Sequence, residues 1–395
     1  MQTGGEETDV PLRRGLPLAL LAGLGLAYGL AALAYTLIPV GGRLVNAAGA
    51  TVGNDFLAFW AAARLAVEGR AASAWDDQVF LPLLATLSPA VNPTPFAYPP
   101  PFLLVVAPLA WLSYPLALAV WEGATLLPFV LLVRRLAGVP LAVALMLPAI
   151  AHNLAIGQNG LLSASLLAGG VAALAAQRRW LAGALFGLLA IKPQMAVLLP
   201  ACLLAGGHFA ALGAAAVTAA ALAAASLAVF GDAAWAGFLA HLPVHMAYVT
   251  QGVLPVARFP TVFAALLDAA GPAAAGWAQA AASLVAMAAA AWAWRRTPDP
   301  AARLLVLSAA LPLSTPFLLD YDLAVSAVPA AWLAGMAWRG RARAADWPAL
   351  ALLWVLPPAI WAASLAHLRV GLPLAAVLLA YALWRVACQH PDPRR

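Results

Sequence analysis

Apolar residues dominate this chain in long runs, and polar positions fall in narrow bands between them. Runs suited to membrane helices are read at 18–39, 102–114, 115–133, 140–156, 160–177, 180–191, 194–206, 209–230, 272–294, 301–319, 322–338, 347–365 and 370–387. A hydrocarbon layer about 30 Å thick takes about 20 helical residues. In lipid only helices or closed barrels satisfy their own backbone groups, and these runs lack strand-like alternation. The pattern predicts an all-α polytopic membrane protein with about 11–13 transmembrane helices. It forms one transmembrane domain over residues 1–395.

Two stretches, 41–98 and 231–270, are too mixed to span. The first contains "GNDFLAFWAAARLAVEGR" at 53–70, where Phe56, Phe59, Trp60, Ala63 and Val67 fall on one helical stripe. A second amphipathic piece follows at 77–87, then a Pro-rich hinge, "NPTPFAYPPP". The second stretch, "GDAAWAGFLAHLPVHMAYVTQG", reads as an interfacial helix, with Trp235 and Tyr248 suited to the headgroup zone.

Composition agrees: 65% of the chain is hydrophobic and 9% charged, against about a quarter charged in soluble domains. The net charge of +6 is dispersed as Arg pairs at helix ends, which excludes a nucleic-acid partner and fits cytoplasmic loops. Arg13 and Arg14 place the N-terminus inside, so 18–39 is a retained helix and 41–98 lies outside. Arg178/Arg179, Arg295/Arg296, Arg339/Arg341/Arg343 and the tail "HPDPRR" also fall inside. One conflict remains: two spans across 102–133 would put Arg134/Arg135 outside. Either that segment crosses once with a re-entrant piece, or this pair breaks the rule. Cys202 and Cys388 lie far apart in apolar sequence and support neither a disulfide nor a metal site.

Ionisable groups at membrane depth are costly and therefore candidates for function. Asp55 opens the 53–70 helix, where either it or Asn54 could serve merely as a cap; Arg64 and Glu68 follow as an i, i+4 pair. Lys192 is the chain's one lysine and stands before Pro193 in "LLAIKPQM". It either binds an anion at a helix break or snorkels to the interface. "HNLAIGQNG" offers His152, Asn153, Gln158 and Asn159, as substrate contacts or as turn chemistry. Asp320, Tyr321 and Asp322 sit at an outer junction, with Asp320 also able to cap the next helix. His241, His245 and Arg258 occupy the second outer stretch; the histidines could bind metal at i, i+4, but no third ligand is evident. Glu122 is read as buried and paired, or facing a polar crevice. No metal and no cofactor are called for.

These residues stand in a recognisable order. "GNDFLAFWAAARLAVEGRAASAWD", "FAYPPPFLLVVAPLAWLSYPLALAVW", "GQNGLLSASLLAGG", "LAGALFGLLAIKPQMAVLLP" and "STPFLLDYDLAVSAVPA" together resemble glycosyltransferase family 87, over roughly residues 50–335. The resemblance implies a GT-C architecture with its site at the outer face. It also implies metal-independent transfer of a sugar, mannose favoured, from a polyprenyl-phosphate donor to a lipid or glycan acceptor, with inversion. The acid early in the first outer loop, here Asp55, would be the general base. Lys192, with Arg258 behind it, would stabilise the leaving phosphate. Arg64, Gln158, Asn159, Asp320, Tyr321 and Asp322 would contact substrate. Relatives often carry a His where this chain has "LLDYDL", which leaves the task of Tyr321 and Asp322 open between orienting the acceptor and assisting the base. The implied setting is a bacterial inner membrane, with membrane lipids around the chain. The rival readings are a transporter or flippase of lipid-linked saccharides and a catalytically silent assembly subunit.

Overall fold

The computed structural model describes residues 10–40, 44–47, 49–88 and 95–388, with side chains from residue 15. The side chains of Arg13 and Arg14, residues 92–94 of the hinge and the tail "HPDPRR" lie outside the described residues. In order the helices are α1 (Val10–Leu37), α2 (Phe56–Val67), α3 (Asp77–Leu87), α4 (Pro100–Val106), α5 (Tyr114–Ala137), α6 (Leu141–Leu145), α7 (Pro148–Ile156) and α8 (Gly160–Ala175). There follow α9 (Arg179–Gly187), α10 (Leu199–Ala205), α11 (Phe209–Thr250), α12 (Val262–Arg296), α13 (Pro300–Ser314), α14 (Ala327–Trp338), α15 (Asp346–Leu365) and α16 (Gly371–Ala387). Among the described residues no strand forms; two isolated bridges tie Pro39 to Asn46 and Val45 to Thr51. The protein is an all-α, multi-pass membrane protein.

Proline sets many of the starts. α4, α5, α7, α10 and α13 each carry Pro in the first two positions, where its fixed φ suits the helix and no hydrogen bond is lost. Five helices, in α1, α5, α11, α12 and α15, are long and apolar enough to cross a membrane. Others are short: α8 has 16 residues and α13 has 15, or about 22–24 Å at 1.5 Å per residue.

The conflict at 102–135 now resolves. α4 continues as a 3-10 turn, Ala107–Trp111, and this short unit packs on α2 and α11. α5 alone then runs on to Arg134 and Arg135 in its last turn. Its far end meets Arg339, whose guanidinium donates to the carbonyls of Ala137 and Gly138. The segment is thus one helix long enough to span, preceded by a short piece packed on α2 and α11, and Arg134/Arg135 fall at the end that meets Arg339.

The 53–70 helix departs from expectation. Every residue of α2 from Phe56 to Leu65 is buried except Trp60 and Arg64. Phe56 and Phe59 pack into Tyr114, Trp121, Tyr98 and Phe102. A helix lying on the membrane surface would show one wet face; this one is embedded among the loops.

The second mixed stretch is helical but not separate from its spans. α11 runs through Gly231 (φ 79°, ψ 172°) and α12 through Gly271 (φ 77°, ψ 166°), both non-helical joints. Such backbone suits glycine, because a Cβ is strained there. Between the joints, 232–270 folds back as a helical hood. Val249, Phe259, Phe263, Ala264 and Leu267 form a small cluster with Ala275, while Ala234 and Phe238 of the same stretch join the main bundle core. Tyr248 does not reach out as an anchor; its hydroxyl donates to Asp77 at 2.6 Å.

Candidate active site

A cavity of about 710 Å³ opens where the start of α2, the α7–α8 turn, the break before α10, the segment after α13 and the hood converge. Its polar lining includes Asp55, Tyr98, Gln158, Lys192, Arg258 and Asp322.

Asp55 owes its position to a close crossing of loops. Its N–H donates to the carbonyl of Ile156 at 3.1 Å, and a Cβ on Gly157 would collide with the Gly53 carbonyl and the Phe56 side chain. Gly157 (φ 69°) therefore lets the "GND" and "GQNG" turns touch. Although Asp55 stands at the N-cap of α2, its side chain makes no capping bond. It instead accepts from Gln158 Nε2 at 2.8 Å. Gln158 Oε1 accepts from the Tyr98 hydroxyl at 2.9 Å and from the Asn159 N–H at 3.2 Å. With its oxygen so occupied, Gln158 must present its NH₂ to Asp55. Burial pushes the Asp55 carboxyl above the usual carboxylate range; Gln158, Arg258 and Lys192 counter this only in part.

Lys192 sits between two 3-10 turns, Leu188–Ile191 and Pro193–Ala196, and is 1% exposed. Its ammonium donates to Asn159 Oδ1 at 2.7 Å, pairs with Asp322 and lies 4.9 Å from the centre of the Tyr321 ring. The snorkelling alternative is therefore excluded. Two of the three Lys192 ammonium donors are taken within the protein, which leaves one for an anion. Asp322 also accepts from the Leu319 N–H at 3.2 Å.

Arg258 is differently placed. Its Nε and Nη2 donate to Asp320 at 2.8 and 2.7 Å, a bidentate clamp. Its Nη1 makes no hydrogen bond among the described residues, and the side chain lines the cavity. Asp320 is fully buried behind it and does not line the cavity. Its carboxylate also accepts from the Tyr321 N–H at 2.8 Å and lies 3.5 Å from His152 Nε2; His152 Nδ1 meets the Tyr28 hydroxyl at 2.9 Å. Burial alone would raise the Asp320 carboxyl, but Arg258 and His152 hold it well below the usual range. Asp320 thus stands behind the cavity wall, where its carboxylate aims Arg258. Asn159, buried and outside the lining, does the same for Lys192.

Of the two carboxylates that line the cavity, Asp322 has a bound cation and Asp55 has none. Arg64 is not brought to the cavity: it is exposed, 3.7 Å from Glu68 and stacked over Trp60. Both carboxylate oxygens of Glu122 are buried without a hydrogen-bond partner, so the expected pairing is not found. Among the described residues no group of three His, Cys, Asp or Glu side chains could hold a metal. Cys202 and Cys388 are free thiols. Tyr98, a lone polar aromatic inside the Pro-rich "FAYPPP", carries no other mark in the sequence of a place in the site.

No curated protein and no solved structure matches this chain. The sequence model of glycosyltransferase family 87 matches residues 96–319, more than half of the 395. That stretch includes Tyr98, Gln158, Lys192 and Arg258, while Asp55 precedes it and Asp322 follows it. On the strength of that match the chain belongs to glycosyltransferase family 87.

Proposed function

We propose that this glycosyltransferase moves a sugar, mannose favoured, from a polyprenyl-phosphate donor to a hydroxyl of a lipid or glycan acceptor, with Asp55 as general base. The observation that carries the reading is the state of Asp55: uncapped, without a cationic partner and held in the cavity by Gln158. A carboxylate spared from capping and ion pairing is free to take a proton. Gln158 donates to one oxygen and leaves the other for the acceptor. The acceptor oxygen bonds to the anomeric carbon as its proton passes to Asp55. The bond from that carbon to the donor phosphate breaks on the opposite face, and its electron pair stays on the phosphate oxygen. Attack and departure on opposite faces invert the centre.

The departing phosphate needs positive charge as it develops. Arg258, with Nη1 free and its other edge fixed by Asp320, is the first candidate; Lys192 is the second, through its remaining N–H. The helices that end at the cavity support a lipid-borne donor. At about 22–24 Å, α8 and α13 fall short of a hydrocarbon layer about 30 Å thick. A cavity at their ends would be recessed below the membrane surface, within reach of a polyprenyl chain. The Arg pairs at helix ends, none of them in the cavity lining, favour an outward-facing, periplasmic site in a bacterial inner membrane, as in GT-C enzymes.

The test is purified protein in liposomes with polyprenyl-phosphate mannose, and with hexose and pentose analogues, across a panel of lipid and glycan acceptors. Transfer by wild type and its loss in Asp55→Asn are expected. Full activity in Asp55→Asn would remove the base assignment, and a lack of transfer from every polyprenyl-phosphate donor would remove the donor class.

A further inference from the structure

The cavity has a second polar group, carried by the hood. Among the described residues no hydrogen bond or ion pair joins His245, His241 or Asp77 to Asp55, Arg258, Asp320 or Lys192. His245 nevertheless lines the same cavity, beside Phe238, Leu242 and Phe317.

His245 lies on one stripe of α11 between His241 and Tyr248, four residues before and three after. Both neighbours are tied to Asp77 of α3: His241 Nε2 lies 3.1 Å from Oδ1, and the Tyr248 hydroxyl donates to Oδ2 at 2.6 Å. One carboxylate from the first outer loop thereby fixes the hood helix on both sides of His245. The ring of His245 is further held against Phe317, with centroids 5.3 Å apart. Its own nitrogens are unused. Nδ1 is sealed off without a partner, whereas Nε2, which also makes no hydrogen bond among the described residues, is not sealed and is the nitrogen a ligand can reach. A polar ring held this firmly with no protein partner has its hydrogen-bonding capacity in reserve for something else.

We propose that His245 is a positioning residue for the acceptor, binding a neutral saccharide hydroxyl at a subsite away from the reacting centre. An anion fits poorly beside the Asp77 carboxylate, and among the described residues no hydrogen bond or ion pair brings a Lys or Arg to His245, His241 or Asp77. An apolar chain would leave the imidazole unsatisfied. A neutral hydroxyl can donate to the ring or accept from it. Assignment to the acceptor rests on the transfer reading above, since the donor's phosphate and anomeric carbon occupy the Asp55–Arg258 pole. The presence of a hydroxyl subsite does not.

Two measurements separate these claims. In detergent-solubilised full-length protein labelled with ¹⁵N-histidine, the His245 ring signal is identified by its loss in His245→Gln, then followed during titration. Methyl α-mannopyranoside is the neutral probe and inorganic phosphate the charged one. A saturable shift with the glycoside and none with phosphate is expected. A shift with phosphate alone, or with neither probe, overturns the subsite whether or not transfer occurs. In the liposome assay, His245→Ala should raise the acceptor KM about tenfold, the scale of one hydrogen bond. Donor KM and kcat at saturating acceptor should stay within about twofold, and His245→Gln should recover part of the loss. A fall in kcat with acceptor KM unchanged would remove the positioning role. Failure of wild type to transfer at all would count against the donor reading and leave the titration to decide the subsite.

Discussion

Gln158 and Asp55 lie 103 residues apart, yet the amide of one holds the carboxylate of the other at 2.8 Å. The Tyr98 hydroxyl fixes that amide from behind. The carboxylate is therefore oriented by a relay of neutral groups, and orientation costs it none of its charge.

Replacing Asp55 with Asn should lower kcat by about 10²–10⁴-fold, the usual contribution of a general base. The melting temperature should not fall. The carboxyl is pushed up in the folded chain, so ionising it at neutral pH costs the fold stability that an amide would not lose. Activity lost together with a large drop in Tm would point to a structural role instead.

The same shift fixes the direction of the pH profile. The base works deprotonated, so kcat/KM should fall as pH drops through a value above the ordinary aspartate pKa of about 3.9. A steady-state profile still flat at pH 4 would argue against Asp55 as the titrating group.

Tyr98→Phe removes the donor that orients Gln158 and leaves the ring stack in place. The loss of one buried hydrogen bond, about 0.5–1.5 kcal/mol, should reduce kcat by up to about tenfold with little change in donor KM. Gln158→Leu should cost more, since Asp55 then loses the one side-chain hydrogen bond it has among the described residues. Equal kcat in both variants and wild type would remove the relay.

Asp320→Asn should destabilise the protein by about 3–5 kcal/mol, because it leaves the Arg258 cation buried without its partner. Arg258→Lys should not restore function, as an ammonium cannot reproduce the two-point clamp. The double variant Arg258→Met/Asp320→Leu separates the effects: thermal stability recovers, measured by melting, while donor turnover stays low. Recovery of turnover as well would deny Arg258 any contact with the leaving phosphate.

Arg64→Ala should leave turnover within about twofold of wild type, since Arg64 is exposed and outside the cavity lining. A loss of more than tenfold in the liposome assay would return it to the site.

The contrast between Arg64 and Arg258 shows what the sequence could convey. Local periodicity located α2 and α3 almost to the residue, because amphipathic spacing is a property of neighbours. It also contained the reason to set Arg64 aside: nine positions beyond Asp55, at about 100° per residue, the helix points the opposite way. Asp320 and Asp322, two residues apart, read alike in sequence but clamp different cations, Arg258 at a separation of 62 and Lys192 at 130. Pairings across such distances have no local spacing to betray them. His245 was legible as half of an i, i+4 pair, but its stripe is equally that of an interfacial helix. Only Asp77, supplied by another loop, decides between the two.

The joints at Gly231 and Gly271 enclose a segment that carries both Arg258 and His245. Ala234 and Phe238 pin it to the main core, and Arg258 pins it to Asp320. Any shift of the hood would therefore move the phosphate contact and the His245 ring together. Divergence in what such an enzyme glycosylates can gather only at hood side chains that carry neither of these ties.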